Sequence, residues 1–448
     1  MVTMSTGAKI RDPHGRTRDA ASLGSAFANC VYPLTAIPAP RTPPLAVDIH
    51  CHAVIVGGGY TGLSTALHLA EQGIDVALLE AHEPGWGAAG RNGGQVNPGL
   101  KHEPASVERD FGPRHGPRLV QFAAGAPDDV FALIERLRIR CEATREGTLR
   151  AARRPAEVAL LCESQRQWRA RGVELALHEG EAAQRITGTH GYRAVLHDHR
   201  GGALNPLSLA RGLAAAALAA GARVYGDSRA MSIQNNLGRW IVRTAGGSIT
   251  ADFVVLATDG YSDALWPGLA RSIIPIYSAV VATEPLVGEL AQQILPTNAV
   301  LYEVGTVTAY YRKDAAGRLL IGGRSAQRPA PTLEDYRHLI AYSMRLWPAL
   351  ETARMTHWWN GQFALTTDYY PRLHAPAPGV LIAQGYSGRG VALAIAMGRE
   401  LAAAVQGRPL EDLAVPATAI RPIRFHRLWP VGVTAGMMIG RLRDQLGM

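Results

Sequence analysis

The stretch from His52 to Gly62 reads HAVIVGGGYTG and decides the fold. Residues 53–56 are a short apolar run typical of a buried strand, and residues 63–71 carry Ala and Leu at helical spacing. Residues 74–80, IDVALLE, then predict a second strand. A strand, a helix and a strand in this order form a βαβ unit, which places the two strands side by side in a parallel sheet.

The turn between the first strand and the helix predicts a nucleotide site. Gly57, Gly59 and Gly62 form a GxGxxG pattern, in which the first glycine permits the tight turn, the second lets the backbone approach a pyrophosphate, and the third allows close helix–sheet contact. The helix N-terminus offers free N–H groups to phosphate. Glu80 ends the second strand, where an acidic side chain binds a ribose diol. This context favours a dinucleotide site over an ordinary glycine turn.

Three further glycine-rich segments favour FAD over NAD. They are residues 85–95, GWGAAGRNGGQ, residues 246–260, GGSITADFVVLATDG, and residues 385–390, GYSGRG. The first can run beside a flavin without side-chain clashes. The second brings another strand end towards the cofactor. The third opens a helix whose N-terminal dipole stabilises the negative charge that develops on a reduced flavin.

The length of 448 residues predicts two interleaved domains. We expect an α/β fold, in which a discontinuous Rossmann-type FAD-binding domain carries an inserted α+β substrate domain with an antiparallel sheet. The predicted pieces are an N-terminal arm (1–47), the FAD-binding domain (48–105, 200–272 and 356–415), the substrate domain (106–199 and 273–355) and a C-terminal segment (416–448).

Composition argues against other classes of protein. The formal charge is +9, but the basic residues are spread along the chain and only three of them are lysines, so no nucleic-acid-binding face is predicted. Four cysteines without a CxxC pair predict no metal site and suit a cytoplasmic protein. No secretory signal is evident, and no apolar run is long enough to span a membrane. Residues 428–440, LWPVGVTAGMMIG, are broken by Pro430 and indicate a packed C-terminal segment, with membrane contact as the minor alternative.

With these motifs in hand, the chain resembles the D-amino-acid-oxidase-like family of FAD oxidoreductases, and within it the γ-glutamylputrescine oxidase-like bacterial enzymes. The matching stretches are VIVGGGYTGLSTALHLAEQGIDVALLEA, GWGAAGRNGGQ, GGALNPLSLA, YYRKDAAGRLLIGGR and QGYSGRGVA, and the resemblance runs from about residue 48 to near the C-terminus. It implies a two-domain flavoprotein that oxidises the C–N bond of an amine by hydride transfer to flavin N5. The imine then hydrolyses, and the flavin is reoxidised by O2, giving H2O2, or by another acceptor.

The resemblance also implies which residues hold the cofactor. Gly57, Gly59, Gly62 and Glu80 take the ADP half. The isoalloxazine is lined by Arg91, Asn92, Gly93, Gly94 and Gln95, and its pyrimidine edge by Gly388, Arg389 and Gly390. The predicted set also includes Tyr60, Thr61, Gly87, Thr258 and Gly385.

Some relatives link FAD covalently through a cysteine or histidine. In this chain no cysteine lies beyond Cys162, and the flavin loop holds Arg91 and Asn92 where a histidine would be sought. We therefore predict non-covalent FAD.

Amine oxidation by a flavin needs a positioned substrate and a dry pocket more than an acid–base triad. Lys101 follows the flavin loop, and we weigh a role at O2 or at a substrate carboxylate equally against a surface lysine. Tyr310 and Tyr311 lie on one strand, so alternation turns one of them away from the cavity. We favour Tyr311 as the catalytic pocket wall and keep Tyr310 as a substrate contact, with core packing as the alternative.

Two more side chains are candidate substrate contacts. Arg324 has the geometry to bind a carboxylate bidentately, although a surface position is the competing interpretation. Trp359 suits the apolar wall for an alkyl chain, and core packing explains it equally well.

Three functions remain open from the sequence. The first is an FAD amine oxidase, the second is a D-amino-acid or N-methyl-amino-acid dehydrogenase that reduces a quinone, and the third is an FAD-binding protein without turnover. The sequence predicts no nucleic-acid partner, and it leaves the amine and the oligomeric state undetermined.

Overall fold

The computed structural model describes residues 10–11, 17–18, 27–305, 309–429 and 432–433. The sequence also predicts a strand over residues 307–312, whose first two residues lie outside the described residues, as does most of the C-terminal stretch 428–440. The helices are α1 (Tyr32–Thr35), α2 (Tyr60–Glu71), α3 (Ala88–Arg91), α4 (Pro104–Arg136), α5 (Pro155–Arg169), α6 (Glu181–Thr187), α7 (Pro206–Ala219), α8 (Gly288–Gln293), α9 (Arg337–Leu346) and α10 (Gly390–Val405).

The strands in the first half of the chain are β1 (Ile10–Arg11), β2 (Thr17–Arg18), β3 (Ile49–Val56), β4 (Val76–Leu79), β5 (Gln95–Val96), β6 (Thr148–Ala152), β7 (Ala176–Glu179), β8 (Ala194–Asp198), β9 (Gly202–Ala203) and β10 (Arg223–Tyr225). Those in the second half are β11 (Ser232–Asn236), β12 (Arg239–Arg243), β13 (Ser248–Leu256), β14 (Ile274–Pro285), β15 (Val300–Glu303), β16 (Tyr310–Lys313), β17 (Arg318–Arg324), β18 (Met355–Leu365), β19 (Arg372–Ala377) and β20 (Val380–Gln384).

The first sheet is the predicted Rossmann-type sheet. Strands β10, β4, β3, β13 and β20 are parallel neighbours in that order, and antiparallel strands flank them. The second half of β3, residues 53–56, is continuously buried because the sheet is covered on both faces there. Helices α2, α7 and α10 pack with their apolar sides on one face, and the other face packs around Val54, Trp240 and Ile249.

The second sheet has the order β18-β14-β17-β16-β15-β6-β8-β7. Its pairings are antiparallel except between β15 and β6, which are parallel. A separate core lies between this sheet and α9, with Tyr311, Tyr336 and Trp347 among its fully buried members. The predicted α+β architecture is confirmed, with one parallel pair added to the antiparallel sheet.

Two segments differ from the sequence-based expectations. Strand β18 pairs with β14 along its length, so it belongs to the second sheet, whereas the predicted boundary placed residues 356–415 with the FAD-binding pieces. The sequence predicts a helix only over residues 128–138, whereas helix α4 begins at Pro104 and contains a break at Gly112, where φ is +69°. The helix was not predicted from the sequence because prolines inside a segment normally argue against a helix. Pro113 is tolerated here because it directly follows the break, a position that suits the start of a helix.

The described part of the arm is mostly irregular, as predicted, but it is not peripheral. Phe27, Val31 and Tyr32 are buried in a small core shared with Trp359 and Leu320. The arm therefore packs between the second sheet and α7.

Candidate active site

A cavity of about 1080 Å³ lies between the carboxyl ends of the parallel strands and the second sheet. Ligands of open α/β sheets bind at this edge. The volume is at or above the roughly 300–1000 Å³ range of pockets for drug-sized ligands, so it suits a large cofactor together with a substrate.

The glycine loop forms one end of the cavity. Gly57 has φ +112°, and a Cβ there would lie 2.7 Å from the Ala257 carbonyl oxygen. A Cβ at Gly62 would lie 1.9 Å from the Gly57 oxygen, so this glycine is required by the packing of α2 on its own turn. Gly59 lines the cavity, and its nearest neighbour for a Cβ is Ala89, 3.9 Å away. The protein therefore leaves space at Gly59 for something other than protein.

The first turn of α2 is fixed by two side chains that also line the cavity. The Tyr60 hydroxyl donates to the Pro206 carbonyl at 3.0 Å, and the Thr61 hydroxyl lies 2.6 Å from the Tyr386 hydroxyl. Both contacts hold the helix N-terminus, with its free N–H groups, against the cavity.

Glu80 lies directly after β4 on the cavity wall, as predicted. Its Oε2 accepts the Gly58 N–H at 2.6 Å, and its Oε1 accepts the His82 N–H at 2.9 Å. Burial raises the pKa of this carboxyl, although both N–H bonds act in the opposite direction. The carboxylate is thus oriented by backbone, which leaves its remaining lone pairs available to a ligand.

The segment 87–95 follows the middle of the cavity. Gly87, Arg91, Asn92, Gly93 and Gln95 line it, whereas Gly94 does not. A Cβ at Gly94 would lie 2.6 Å from the guanidinium of Arg312, which explains the glycine by packing on the outer side of the segment.

Arg91 is held on the cavity wall by aromatic neighbours. Its Nη2 donates to the Tyr261 hydroxyl at 2.5 Å, and its guanidinium carbon lies 4.8 Å from the centre of the Trp86 ring. Trp86 in turn stacks on His82 at 4.0 Å. Tyr261 and Trp86 were not predicted as site residues, because no local sequence pattern indicates which aromatic side chains will stack on an arginine.

The third predicted motif lies at the start of α10, which packs beside α2 on the same face of the sheet. Gly388, Arg389 and Gly390 line the cavity at the N-terminus of α10, and Thr258 lines it at the end of β13. Gly385 does not face the cavity. It has φ +78°, and its N–H donates to Asp259 Oδ1 at 2.8 Å.

The end of the cavity near α10 is cationic. Arg389 donates to the Tyr302 hydroxyl at 2.8 Å and lies over its ring, 4.7 Å from the ring centre. Lys101 opens onto the same space, and its side chain is exposed to the cavity. Desolvation, together with the charges of Arg389 and Arg150, lowers the pKa of Lys101 from its ordinary 10.5 to about 8.

The structure separates the predicted substrate contacts into two groups. Tyr310 and Arg324 line the cavity. Tyr311 does not, so its assignment as the catalytic pocket wall is wrong. Its ring is fully buried in the second core, edge-on to Trp347 at 4.9 Å. Trp359 is also outside the cavity, because it packs against Tyr32 at 5.0 Å with its indole N–H on the Arg91 carbonyl.

Several cavity residues were missed by the sequence reasoning. Their segments carry no motif, and for those on strands alternation does not say which face meets a cavity that two sheets form together. They include Tyr261, Tyr277, Tyr302, Gln327 and His426. Within the described residues, no three His, Cys, Asp or Glu side chains are arranged to hold a metal ion.

A profile of the family described as DAO, FAD dependent oxidoreductase, matches residues 52–404. The protein belongs to this family. The chain is 34% identical over 404 residues to γ-glutamylputrescine oxidoreductase of Escherichia coli (strain K12), covering 90% of this chain and 94% of that one.

Solved structures of DAO-family type have the same fold. Glycine oxidase from Geobacillus kaustophilus gives a TM-score of 0.71 at 23% identity, covering 84% of this chain and 99% of that one. L-proline dehydrogenase from P. horikoshii gives 0.68 at 22% identity, covering 86% and 99%. The family establishes this chain as an FAD-dependent oxidoreductase.

The residues present fit FAD. The open space at Gly59, the oriented carboxylate of Glu80 and the helix N-termini of α2 and α10 all face one cavity. The cavity is large enough for a dinucleotide, and a side chain in place of the lining glycine Gly59 would occupy space that the cofactor needs.

Proposed function

We propose that the protein oxidises the C–N bond of a small amine that also carries a carboxylate, of the γ-glutamylputrescine or N-substituted amino-acid kind. The supporting observation is the cationic end of the FAD cavity, where Lys101 and Arg389 both line the wall, and Arg324 is a further cation of the cavity lining. The similarity to γ-glutamylputrescine oxidoreductase supports the same class of substrate.

The acidic side chains in the described lining are already engaged. Asp259 accepts backbone N–H groups, Asp263 pairs with Arg229 at 2.8 Å, and Glu80, whose remaining lone pairs are predicted to bind the ribose of FAD, lies at the glycine-loop end of the cavity. A free diamine, with two positive charges, finds no unengaged carboxylate there, whereas a carboxylate finds guanidinium and ammonium donors. The charge of the lining therefore favours an acidic or acylated amine over a free polyamine.

The same positive groups act on the amine itself. A nearby cation disfavours the ammonium form and so lowers the pKa of a bound amine. The neutral amine has the lone pair that assists removal of a hydride from the adjacent carbon. Bound FAD supplies the acceptor for that hydride. The balanced overall reaction with oxygen converts a primary amine, O2 and water into an aldehyde, ammonia and H2O2.

The protein's own residues position and shield the substrate. Tyr302 is held by Arg389, and Tyr310 lies between Gly93 and Gly322, with its hydroxyl 3.1 Å from Ser278. These rings form apolar walls that exclude water from the reacting carbon. The hydroxyls of Tyr302 and Tyr310 already have hydrogen-bond partners in the protein, so we expect the cationic side chains to bind the substrate carboxylate.

Anaerobic mixing with a panel of amines tests this proposal, with the visible flavin band as readout. We expect γ-glutamylputrescine or another carboxylate-bearing amine to bleach the band at least tenfold faster than putrescine at the same concentration. Equal rates with putrescine contradict the charge argument. A protein that retains FAD and is bleached by no amine is an FAD-binding protein without turnover.

Admission of air to the bleached protein then identifies the electron acceptor. Recovery of the band with formation of H2O2 identifies an oxidase. Recovery only with a quinone or dye identifies a dehydrogenase, which is the alternative function. Lys101→Met is the variant that tests the cationic end of the cavity. Lys313→Met is its matched control, since Lys313 lies outside the cavity lining and donates to the Ala291 carbonyl.

Non-covalent attachment of FAD remains a prediction. The described cysteines are Cys30, Cys51, Cys141 and Cys162, and none of them lines the cavity. Acid precipitation is expected to release all of the flavin into the supernatant. Flavin that stays with the pellet contradicts the prediction.

A further inference from the structure

Three consecutive carbonyl groups of the cavity-lining segment each accept a hydrogen bond from a different part of the chain. Trp359 Nε1 donates to the Arg91 oxygen at 2.9 Å, the Tyr32 hydroxyl donates to the Asn92 oxygen at 2.7 Å, and Arg312 Nε donates to the Gly93 oxygen at 2.6 Å. Trp359 is on β18, Arg312 is on β16, and Tyr32 is on the arm. We call these three donors the carbonyl clamp.

The clamp is a buried unit. The exposed fractions of Tyr32, Arg312 and Trp359 are 2%, 3% and 4%. The Tyr32 ring meets Trp359 edge-on at 5.0 Å, and the Arg312 guanidinium lies 5.7 Å from the Tyr32 ring centre. A carbonyl left without its donor in such a place is costly, because water does not replace the lost bond.

The arm is itself fastened at this point. Asn205 Nδ2 donates to the Tyr32 carbonyl at 3.3 Å and to Thr35 Oγ1 at 2.9 Å. The Trp358 N–H donates to the Asn29 carbonyl at 3.1 Å. The arm thus bridges α7 and β18, and it carries the central donor of the clamp.

The clamp and the cavity lie on opposite sides of the same three residues. Arg91, Asn92 and Gly93 line the cavity, whereas Tyr32, Arg312 and Trp359 do not. The hydrogen bonds to the three carbonyls, on the side away from the cavity, fix the orientation of the peptide planes. They therefore also fix which backbone and side-chain groups of the segment face the cavity.

We infer that Tyr32 is a positioning residue of the FAD site, and that the N-terminal arm sets the segment 91–93 in its cofactor-binding shape before FAD arrives. Preordering of a binding segment raises affinity, because the cost of ordering is met during folding and not during binding. The arm therefore contributes to FAD affinity without touching FAD.

Tyr32→Phe in the full chain tests the inference, since it keeps the ring contacts and removes the hydroxyl, which donates the central bond and accepts a longer one from Arg312 Nη2 at 3.4 Å. The readout is the Kd of the apoprotein for FAD, measured by quenching of flavin fluorescence, together with the shape of the bound flavin's visible band. We expect the Kd to rise about tenfold and the band to change. Trp359→Phe removes the neighbouring donor and is expected to act in the same direction, which keeps the test valid if one variant fails to fold.

Tyr336→Phe is the matched control. Its hydroxyl is also fully buried and donates to a backbone carbonyl, that of Ala330 at 2.9 Å, but the residue lies in the second core and outside the cavity lining. It is expected to lose thermal stability while it keeps the wild-type Kd for FAD. Equal Kd values for Tyr32→Phe, Trp359→Phe and Tyr336→Phe would overturn the inference and leave the clamp a purely structural feature.

Discussion

Lys101 links the charge of the cavity to pH. Because its pKa lies near 8 and not 10.5, it carries its positive charge below about pH 8 and loses it above. If the ammonium binds a substrate carboxylate, the KM is lowest below pH 8 and rises as the pH passes through that value. We expect a rise of about tenfold, equivalent to ~1.4 kcal/mol.

Lys101→Met is expected to raise the KM about tenfold at pH 7, the same ~1.4 kcal/mol, and to abolish its rise near pH 8. Lys313→Met keeps the wild-type profile. A wild-type KM for Lys101→Met, combined with slower reoxidation by O2, assigns the lysine to oxygen instead.

Tyr310 and Tyr311 show how far residue-level prediction reached. Alternation along a strand correctly separates their faces, but the choice of face depends on where the other sheet lies, and the sequence does not contain that information in local form. The same limit applies to Trp359, whose neighbour Tyr32 is more than 300 residues away in the chain. Motif residues such as Glu80 and Gly59 were predictable because a local strand–turn–helix geometry defines their place.

Alanine at the two tyrosines distinguishes their roles. Tyr311→Ala leaves a hole in the second core and is expected to cost about 3–5 kcal/mol of unfolding free energy, with an unchanged KM in the folded fraction. Tyr310→Ala opens the cavity wall beside Gly93 and is expected to change the KM. Urea unfolding and steady-state kinetics on both variants measure the two effects, and a changed KM in Tyr311→Ala contradicts its placement in the core.

At the scale of elements, the glycines at the turn between β3 and α2 differ in what requires them: close packing within the protein for one, space for a cofactor for another. Ala has a higher helix propensity than Gly by about 1 kcal/mol. At Gly62 this gain is outweighed, because the new Cβ would lie 1.9 Å from the Gly57 oxygen. At Gly59 the protein offers no such clash.

We therefore expect Gly59→Ala to lower the melting temperature of the apoprotein only slightly, because Gly59 is the N-cap of α2, where Gly is preferred to Ala, and to weaken FAD binding at least tenfold, or ~1.4 kcal/mol. Gly62→Ala is expected to lower the melting temperature of the apoprotein itself. Differential scanning calorimetry without FAD and a flavin titration separate the cases. An apoprotein of Gly59→Ala that melts well below wild type means that this glycine is also a packing requirement.

Helix α4 shows what the sequence obscured at this scale. Pro113, Pro117 and Pro127 lie inside one continuous helical assignment, and prolines normally mark helix ends. The break at Gly112 explains the first of them. We have no comparable local signal for the other two, so only the tertiary structure reveals the helix.

At the scale of the whole molecule, the cavity joins both sheets, so FAD binding is expected to stabilise the complete fold. A ligand at 100 times its Kd adds about 2.7 kcal/mol to a protein that binds it only when folded. The melting temperature of the apoprotein should thus rise with the logarithm of FAD concentration. FMN, which lacks the adenylate half and its contacts with the glycine loop, is expected to give a smaller rise, and an equal rise contradicts the role of that loop.

The overall architecture was predictable because the βαβ unit and the later glycine motifs each define a strand end. The division between domains was less so. Strand β18 is continuous with the FAD-binding pieces in sequence but pairs with β14 in space. As a separate matter, none of the described helices has both the length and the apolar character to cross a bilayer. The C-terminal limits of the domains remain predictions.

The parallel order of β4, β3, β13 and β20 has a consequence for synthesis on the ribosome. The turn that opens α2 is made early, but its partner at Gly390 and helix α10, which packs on α2, are translated last among the cavity elements. At roughly 5–20 residues per second, the nascent glycine loop waits on the order of half a minute for α10. We therefore expect the FAD cavity to be completed late, because a chain stalled before β20 lacks the α10 wall of that cavity and leaves the face of α2 that α10 covers exposed.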